Sequence, residues 1–483
     1  MAAAQDISAI TTLATPITLP CGLTLPNRLV KCPMQETLAQ APFYDPPVPS
    51  FNNLYAEWAA ANYGLIITGQ VQIDIRFLSI AGDVVCHSKS LEAPHLERWK
   101  AWARVARGEG TRCIVQLAHP GRMSPAGAGE RPGNMPAMCP SAVPVALPGA
   151  DSMLNKFVMS KVLGTPKAMT LEEIDEVVGM FRHGARVAHA AGFDGIQLHG
   201  AHGFLLSQFL SPRTNQRTDT YGGSPEKRMA LLKRLVTEIR EEFPPPFCVS
   251  VKLNSADYMA DGQGLQTSEG LEQVRWLITS GMVDMIEISC GNAENTTSKL
   301  HNSFGAKTMD RAPERKATTR IREAFFSDFA DEVQKLQAAG SKGYVPIQLS
   351  GGYRSRVGMA DGIESGVTDL IGLGRSAVLE PTLPRKTLLN PAVPDSDAIA
   401  MSHIVKGQWF ANAIPIKVVG SGLGIQFFYH NMRRLGRGLA SDPDLSIPMM
   451  LVKDVIETLR SGLATTLGRI VQSIDYRPAQ KLD

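Results

Sequence analysis

The chain has little net charge, no paired cysteines and no long apolar run, and each absence removes a class of function. A formal charge of +3 over 483 residues gives no electrostatic case for nucleic acid as a partner. Its seven cysteines, at 21, 32, 86, 113, 139, 248 and 290, stand singly with no C-x-x-C spacing. That argues against a zinc site, an iron–sulfur cluster and a secreted disulfide framework. The opening MAAAQDISAITTLATPITLP lacks a basic region followed by an apolar one, so no signal peptide is read. No apolar stretch reaches the ~18 residues that span a bilayer, which leaves Asn295-Thr296-Thr297 as an accidental sequon. Fixed-period repeats and low-complexity segments are missing too. A soluble, cytoplasmic enzyme with no nucleic-acid or membrane partner is the expectation.

Hydrophobic residues make up 44% of the chain, enough for a large buried core. They gather in short continuous runs at 29–32, 64–69, 113–117, 196–198, 247–253, 283–288, 345–349 and 370–373. Helical spacing falls at 51–63, 94–109, 170–191, 226–242, 268–279, 318–339 and 356–365, and Thr170-Leu171-Glu172-Glu173 forms a capping box. Strands that are apolar throughout are buried on both faces, and eight of them alternating with helices predict a closed parallel TIM (β/α)8 barrel. A doubly wound open sheet is the alternative on pattern alone. Residues 16–28 read as a β-hairpin about Cys21-Gly22 that plugs one end. Residues 118–169, rich in Gly, Pro and Met, form an insertion too long for a simple connection and are expected to act as a lid. The barrel is assigned to 1–394 and a C-terminal helical extension to 395–483, including an amphipathic pattern at 449–474. The extension is expected to pack against the barrel or across a homodimer. Its Ile416–Gly424 glycines imitate a dinucleotide fingerprint, but Ile425 stands where the third glycine belongs, so a turn entering a helix is expected.

The stretch 193–224, FDGIQLHGAHGFLLSQFLSPRTNQRTDTYGGS, organises the rest. Its strand ends at His199, with His202 three residues on, where a barrel of this kind keeps its chemistry. A metal pair would need a third ligand, and no motif supplies one, so no metal is assigned. Ser350-Gly351-Gly352-Tyr353 follows the seventh strand, and Gly372-Leu373-Gly374-Arg375 closes the eighth. Barrels hold phosphate at those two ends, where glycine lets the backbone approach and arginine adds a charged fork.

These residues resemble the old yellow enzyme family of FMN-dependent ene reductases and NADH:flavin oxidoreductases. The family pattern is a His, two residues, His or Asn, Gly-Tyr, Gln-Phe, then Arg-Thr-Asp-x-Tyr-Gly-Gly-Ser. Here it reads His199, His202, Gly203-Phe204, Gln208-Phe209 and Arg217 to Ser224, and the likeness covers about residues 16–390, with a weak extension resembling fungal-type members into the tail. The resemblance implies FMN as cofactor and NADPH or NADH as reductant. It also implies backbone contacts to flavin from Pro33 and Met34, with Gln35 where relatives carry Thr or Cys near the flavin O4 edge. It matches Gly69 to the small residue beside the ring, Gln116 to the pyrimidine contact and Lys252 to the cation near N1. Without a partner, a buried Lys252 or Gln116 is costly, which favours the cofactor reading over a merely buried one. His199 and His202 would then hold the carbonyl oxygen of an enone or enal substrate. Arg213, Arg217, Asp219 and Tyr221 are read as a local salt-bridged network, and His119 and Arg122 either line the cavity or serve the loop.

One departure bears on the mechanism. Phe204 replaces the family's proton-donating tyrosine and has no donor. Three outcomes follow: alkene reduction with water, Tyr44 or Tyr258 as proton source; net-neutral isomerisation or desaturation; or a flavin-binding protein with little activity.

Overall fold

Strands that are apolar on both faces must be covered on both, and the computed structural model closes them into a ring. The structure describes residues 2–146, 152–257, 259, 262–289, 291, 294, 329–330, 332–338, 343–401, 405–414 and 417–456. The ring strands are β1 (Leu29–Lys31), β2 (Leu65–Gln72), β3 (Arg112–Ala118), β4 (Gly195–Gly200), β5 (Cys248–Asn254), β6 (Met285–Ser289), β7 (Ile347–Ser350) and β8 (Leu370–Leu373). Each pairs in parallel with the next and β8 pairs with β1, so the ring has no free edge.

Helices cover the outside: α1 (Val48–Ala59), α2 (His95–Ala106), α3 (Leu171–Ala191), α4 (Ala230–Glu242), α5 (Thr267–Ser280) and α6 (Arg356–Glu364). The predicted capping box opens α3, with Thr170 and Glu173 exchanging side-chain-to-backbone bonds, and Gly192 ends it at φ 89°. Between β1, β2 and α1, Lys31 is fully buried, its Nζ 4.0 Å from the Trp58 ring centroid and donating to the Ile67 carbonyl at 3.2 Å.

The hairpin Ile17–Thr18 with Thr24–Leu25 closes one end of the ring. Its Leu19, Cys21, Leu23 and Leu25 pack on Val30, Leu65, Ile67, Ile114, Cys248, Met285 and Leu370 from inside the barrel. The other end, at the C-termini of the strands, is open to the connecting loops.

Several boundaries differ from the sequence reading. A helix that the sequence did not announce spans Ala2–Ala14, and the one expected at 51–63 begins at Val48, inside the Pro-rich segment, because proline is tolerated in a first helical turn. The second strand runs on to Gln72. The expected 226–242 helix is two pieces, Pro225–Arg228 and α4. In the insertion, Met138–Cys139 pairs in parallel with Lys167–Ala168, and Met153–Val162 is helical. The tail glycines are not a turn: helix α7 (Lys417–Gly436) already contains Gly420, Gly422 and Gly424. It packs on α1, where Asn53 Nδ2 donates to the Gly436 carbonyl at 3.0 Å. Most of the expected 318–339 helix, the end of the 449–474 pattern, Asn295 and Tyr258 lie outside the described residues. No helix among the described residues is long and apolar enough to cross a membrane.

Candidate active site

Above the apolar floor, the barrel interior turns polar. Register sets Gln116 beside Gln197, Gln197 beside Ser250, Lys252 beside Glu287 and Glu287 beside Gln348. Gln116 Nε2 donates to Gln197 Oε1 at 2.7 Å, and Gln197 Nε2 donates to Glu287 Oε2 at 3.0 Å. Glu287 is fully buried and also takes Lys252 Nζ at 2.7 Å and Ser350 Oγ at 2.5 Å. Lys252 therefore has the carboxylate partner that the sequence reading lacked, so the cost of burying it alone no longer argues for the flavin role. The predicted site residue Lys252 stands within this chain of bonds, at its upper end beside His199. Gln197, Glu287 and Gln348 were missed. Their signal was a single polar residue in the middle of an apolar strand, as in MIEIS and PIQLS.

The two histidines are brought together at the end of β4, with ring centroids 5.3 Å apart. His199 is buried and its Nδ1 has no hydrogen-bond partner among the described residues. Burial first, then the nearby His202 and Lys252, hold its pKa well below the usual value, so the ring is neutral at neutral pH. His202 sits at φ 60°, a left-handed conformation seldom adopted by a non-glycine residue and often found at functional positions. Its Nε2 is 2.8 Å from Ser289 Oγ, and Asn254 Oδ1 accepts from its backbone N–H at 3.4 Å. Phe204 stacks on His199, centroid to centroid 4.7 Å, and brings no polar atom.

Across the mouth are the glycine loops. Gly351 and Gly352 have φ of 87° and 93°, and a Cβ on either would meet nothing within 4 Å. Tyr353 turns away, its hydroxyl 2.5 Å from where a Cβ on Gly362 of α6 would lie. Gly372 is an interior position, where a Cβ would lie 2.5 Å from both Cys32 Sγ and Ser350 Oγ. A Cβ on Gly374 would be 3.6 Å from Met34 Sδ. The exposed Arg375 side chain makes no hydrogen bond or ion pair among the described residues. A glycine cradle with open space and an arginine without a partner beside it suit a phosphate.

The β1 and β2 ends complete the mouth. Pro33 and Met34 are half-buried there. Gly69 is glycine because Glu36 crowds it: a Cβ would lie 1.9 Å from Glu36 Oε2, and Gly69 N donates to Glu36 Oε1 at 2.8 Å. Gln35 has both amide hydrogens committed, to Ser79 Oγ at 2.8 Å and to Asp83, and its Oε1 accepts from Tyr429 at 2.5 Å. This set fits FMN: an open phosphate cradle, a polar interior row and a neutral imidazole with an unused nitrogen.

The remaining candidates have structural partners. Arg122 donates to Glu294 at 2.6 Å and to the Val143 and Pro144 carbonyls, tying the insertion to the loop after β6. Glu294, missed from sequence, also accepts from Ala146 N at 2.7 Å and lies 3.4 Å from Arg213. Arg213 therefore leaves the expected loop network, whereas Arg217 binds Asp219 and the Pro140 and Met169 carbonyls, and Tyr221 hydroxyl accepts from Arg234. His119 accepts from Gly121 N at 3.0 Å, and burial lowers its pKa to about 4. Tyr44 lies in the loop after β1 at φ 55°. Asp45 bonds His87 and His95 at 3.0 and 2.7 Å, and His87 Nδ1 accepts from Lys89 N, so both rings have protein partners.

A family model described as the NADH:flavin oxidoreductase / NADH oxidase family matches residues 12–390. An NADH-dependent flavin oxidoreductase of Neonectria sp. (strain DH2) is 37% identical over 92% of this chain, which spans 58% of that relative's length. One from Hypocrea jecorina (strain QM6a) is 36% identical, over 83% of this chain and 95% of its own. Among solved structures, the old yellow enzyme homologue of Zymomonas mobilis superposes with a TM-score of 0.57 at 24% identity, covering 77% of this chain and 91% of that one. At that identity the likeness speaks for the fold.

Proposed function

The chain belongs to the NADH:flavin oxidoreductase / NADH oxidase family, and from that premise we propose that it uses FMN to pass hydride from NADH or NADPH to the β-carbon of an α,β-unsaturated carbonyl. The chemistry that FMN supplies when bound is two-electron hydride transfer. Gly351, Gly352 and Arg375 would hold its phosphate, Gln116 and Lys252 its ring. The fungal relatives' names favour NADH as the reductant.

The observation that carries the reading is the neutral, buried His199 with an unpartnered Nδ1, set beside His202 at the same mouth as the open glycine cradle. A neutral imidazole donates one hydrogen bond without competing as a cation for the carboxylate below. Two imidazole donors on one carbonyl oxygen draw electron density from the β-carbon, and the Ser289 contact holds the His202 ring in place. Bulk water, or a side chain not at position 204, must then deliver the proton to the α-carbon.

Phe204 gives a second reading its footing. Its ring covers His199 and offers no proton, which suits an enolate that collapses back, as in isomerisation, or the reverse desaturation. An anaerobic titration separates the two. The bound flavin is reduced with NADH or NADPH, a simple cyclic enone is added, and the colour is followed. Rapid return of the oxidised yellow form is expected. Reduction without reoxidation would reject ene reduction of simple enones and favour isomerisation of a specialised substrate. Where proton delivery limits the rate, Phe204→Tyr should accelerate enone reduction by roughly a hundredfold or more; an unchanged rate would mean that another donor is already in place.

A further inference from the structure

We propose that Tyr429, on α7 of the C-terminal extension, is a positioning residue for the flavin site and acts through Gln35. The inference rests on the flavin reading above and adds to it a part of the chain beyond residues 12–390, the span of the family match.

Gln35 directly follows Met34 at the mouth end of β1. A glutamine there can present either an oxygen or an N–H to whatever lies beside it, because its amide can flip. Here the flip is decided by three partners. Tyr429 Oη donates to Oε1 at 2.5 Å, while Nε2 donates to Ser79 Oγ at 2.8 Å and to Asp83 Oδ1. Ser79 and Asp83 are themselves fixed: Asp83 Oδ2 accepts from Ser79 N at 2.9 Å and Gln72 Nε2 at 3.0 Å, and Ser79 Oγ accepts from Gln70 Nε2 at 2.7 Å. The network therefore runs from the extension, through the end of β1, to two residues of β2. Tyr429 is the only contributor among these from outside the barrel strands and their loops.

The phenol is well placed to act only as a donor. Tyr429 is 8% exposed, and burial, with the Asp83 and Glu36 carboxylates, raises its pKa. A donor fixed on Oε1 orients both Gln35 hydrogens toward Ser79 and Asp83. The helix carrying it is anchored independently, by buried Phe427 and Met432 and by the Asn53–Gly436 bond. Removing the hydroxyl alone should therefore free the amide without undocking the helix.

The test uses the full chain loaded with FMN, comparing wild type, Tyr429→Phe, Gln35→Met and the double variant. FMN affinity is read by fluorescence quenching, together with the flavin absorption spectrum and reduction potential. Tyr429→Phe is expected to weaken FMN binding roughly three- to tenfold and to shift both spectrum and potential. Gln35→Met should shift them as well, and adding Tyr429→Phe to it should change nothing further. The inference is overturned if Tyr429→Phe folds yet leaves affinity, spectrum and potential as in wild type. It is equally overturned if the tyrosine change has the same effect with or without Gln35, which would make it a packing residue. Should Tyr429→Phe not fold, Gln35→Met decides: a wild-type spectrum and potential there reject the role. A wild-type chain that takes up no FMN would instead remove the function proposed above, and this inference with it.

Discussion

At the floor of the barrel, Val30, Ile114, Cys248, Met285 and Leu370 close on the hairpin residues Leu19, Leu23 and Leu25. Two residues farther along the same strands stand Cys32, Gln116, Ser250, Glu287 and Gly372. Two residues is the repeat that returns a strand to the same face, so both sets point into the barrel, one layer above the other. The lower layer is apolar and sealed. The upper one is a row of hydrogen bonds centred on a buried carboxylate, topped by His199 with a nitrogen left over. The change from a layer that holds the fold to one that can do chemistry takes a single repeat of each strand. It also places the chemistry at the C-terminal end, where loops from many strands can reach it.

The sharpest way to break this contrast is to remove the charge at the upper layer. Lys252→Met leaves Glu287 buried without its ammonium, and breaking a buried pair from one side costs about 3–5 kcal/mol. Urea denaturation of the FMN-free protein should show that loss, and FMN uptake should fail. Adding Glu287→Gln should restore most of the stability and none of the uptake. A Lys252→Met protein as stable as wild type would mean that the upper layer is not held by this pair. At the floor, Leu25→Ala should cost about 3 kcal/mol, because Leu25 is fully buried and leaves a cavity. FMN affinity should stay within twofold of wild type, measured on the folded fraction. A large affinity loss there would show that the two layers are coupled.

The floor was legible in the sequence because apolar runs and a hairpin about Cys21-Gly22 state their own burial. The histidine pair and the two glycine loops were legible for a similar reason, since each sits at a strand end that the runs define. Partners were not. Glu287 lies 35 residues beyond Lys252, in another strand, and only the parallel register sets them side by side. The same holds for Tyr429, 394 residues from Gln35, and for Glu294, which draws Arg122 and Arg213 from different loops. Sequence names which residues are polar in a buried strand; closure of the ring decides whom they meet.

Acid should act on the mouth through its buried histidines. The His119 pKa is lowered to about 4 in the fold, against about 6.5 for an unfolded chain. The unfolded state therefore takes up the proton first as pH falls. The stability this group contributes is whole above about pH 6.5 and is lost progressively down to about pH 4. At pH 5 the loss should be about 2 kcal/mol relative to pH 7.5. His199, lowered by burial and by His202 and Lys252, loses in the same direction. Denaturant midpoints at pH 7.5, 6 and 5 measure this, and His119→Gln should flatten part of the slope. A wild-type slope in that variant would place the acid sensitivity elsewhere.

The smallest expected effect gives the cleanest comparison of the two ends. Gly22, in the hairpin turn at the floor, and Gly351, at the end of β7, both have φ of 87°, and a Cβ on either would meet nothing within 4 Å. Alanine at each position therefore meets the same left-handed penalty of about 1–2 kcal/mol and no steric clash with the protein. Equal losses of stability are expected from Gly22→Ala and Gly351→Ala. Only the second should weaken FMN binding, by roughly tenfold, because a methyl group would hold the backbone off a phosphate that approaches it closely. Since the strain is common to both, any difference in FMN affinity belongs to the ligand. If Gly351→Ala binds FMN as tightly as Gly22→Ala, the phosphate sits elsewhere and Arg375 loses its proposed role with it.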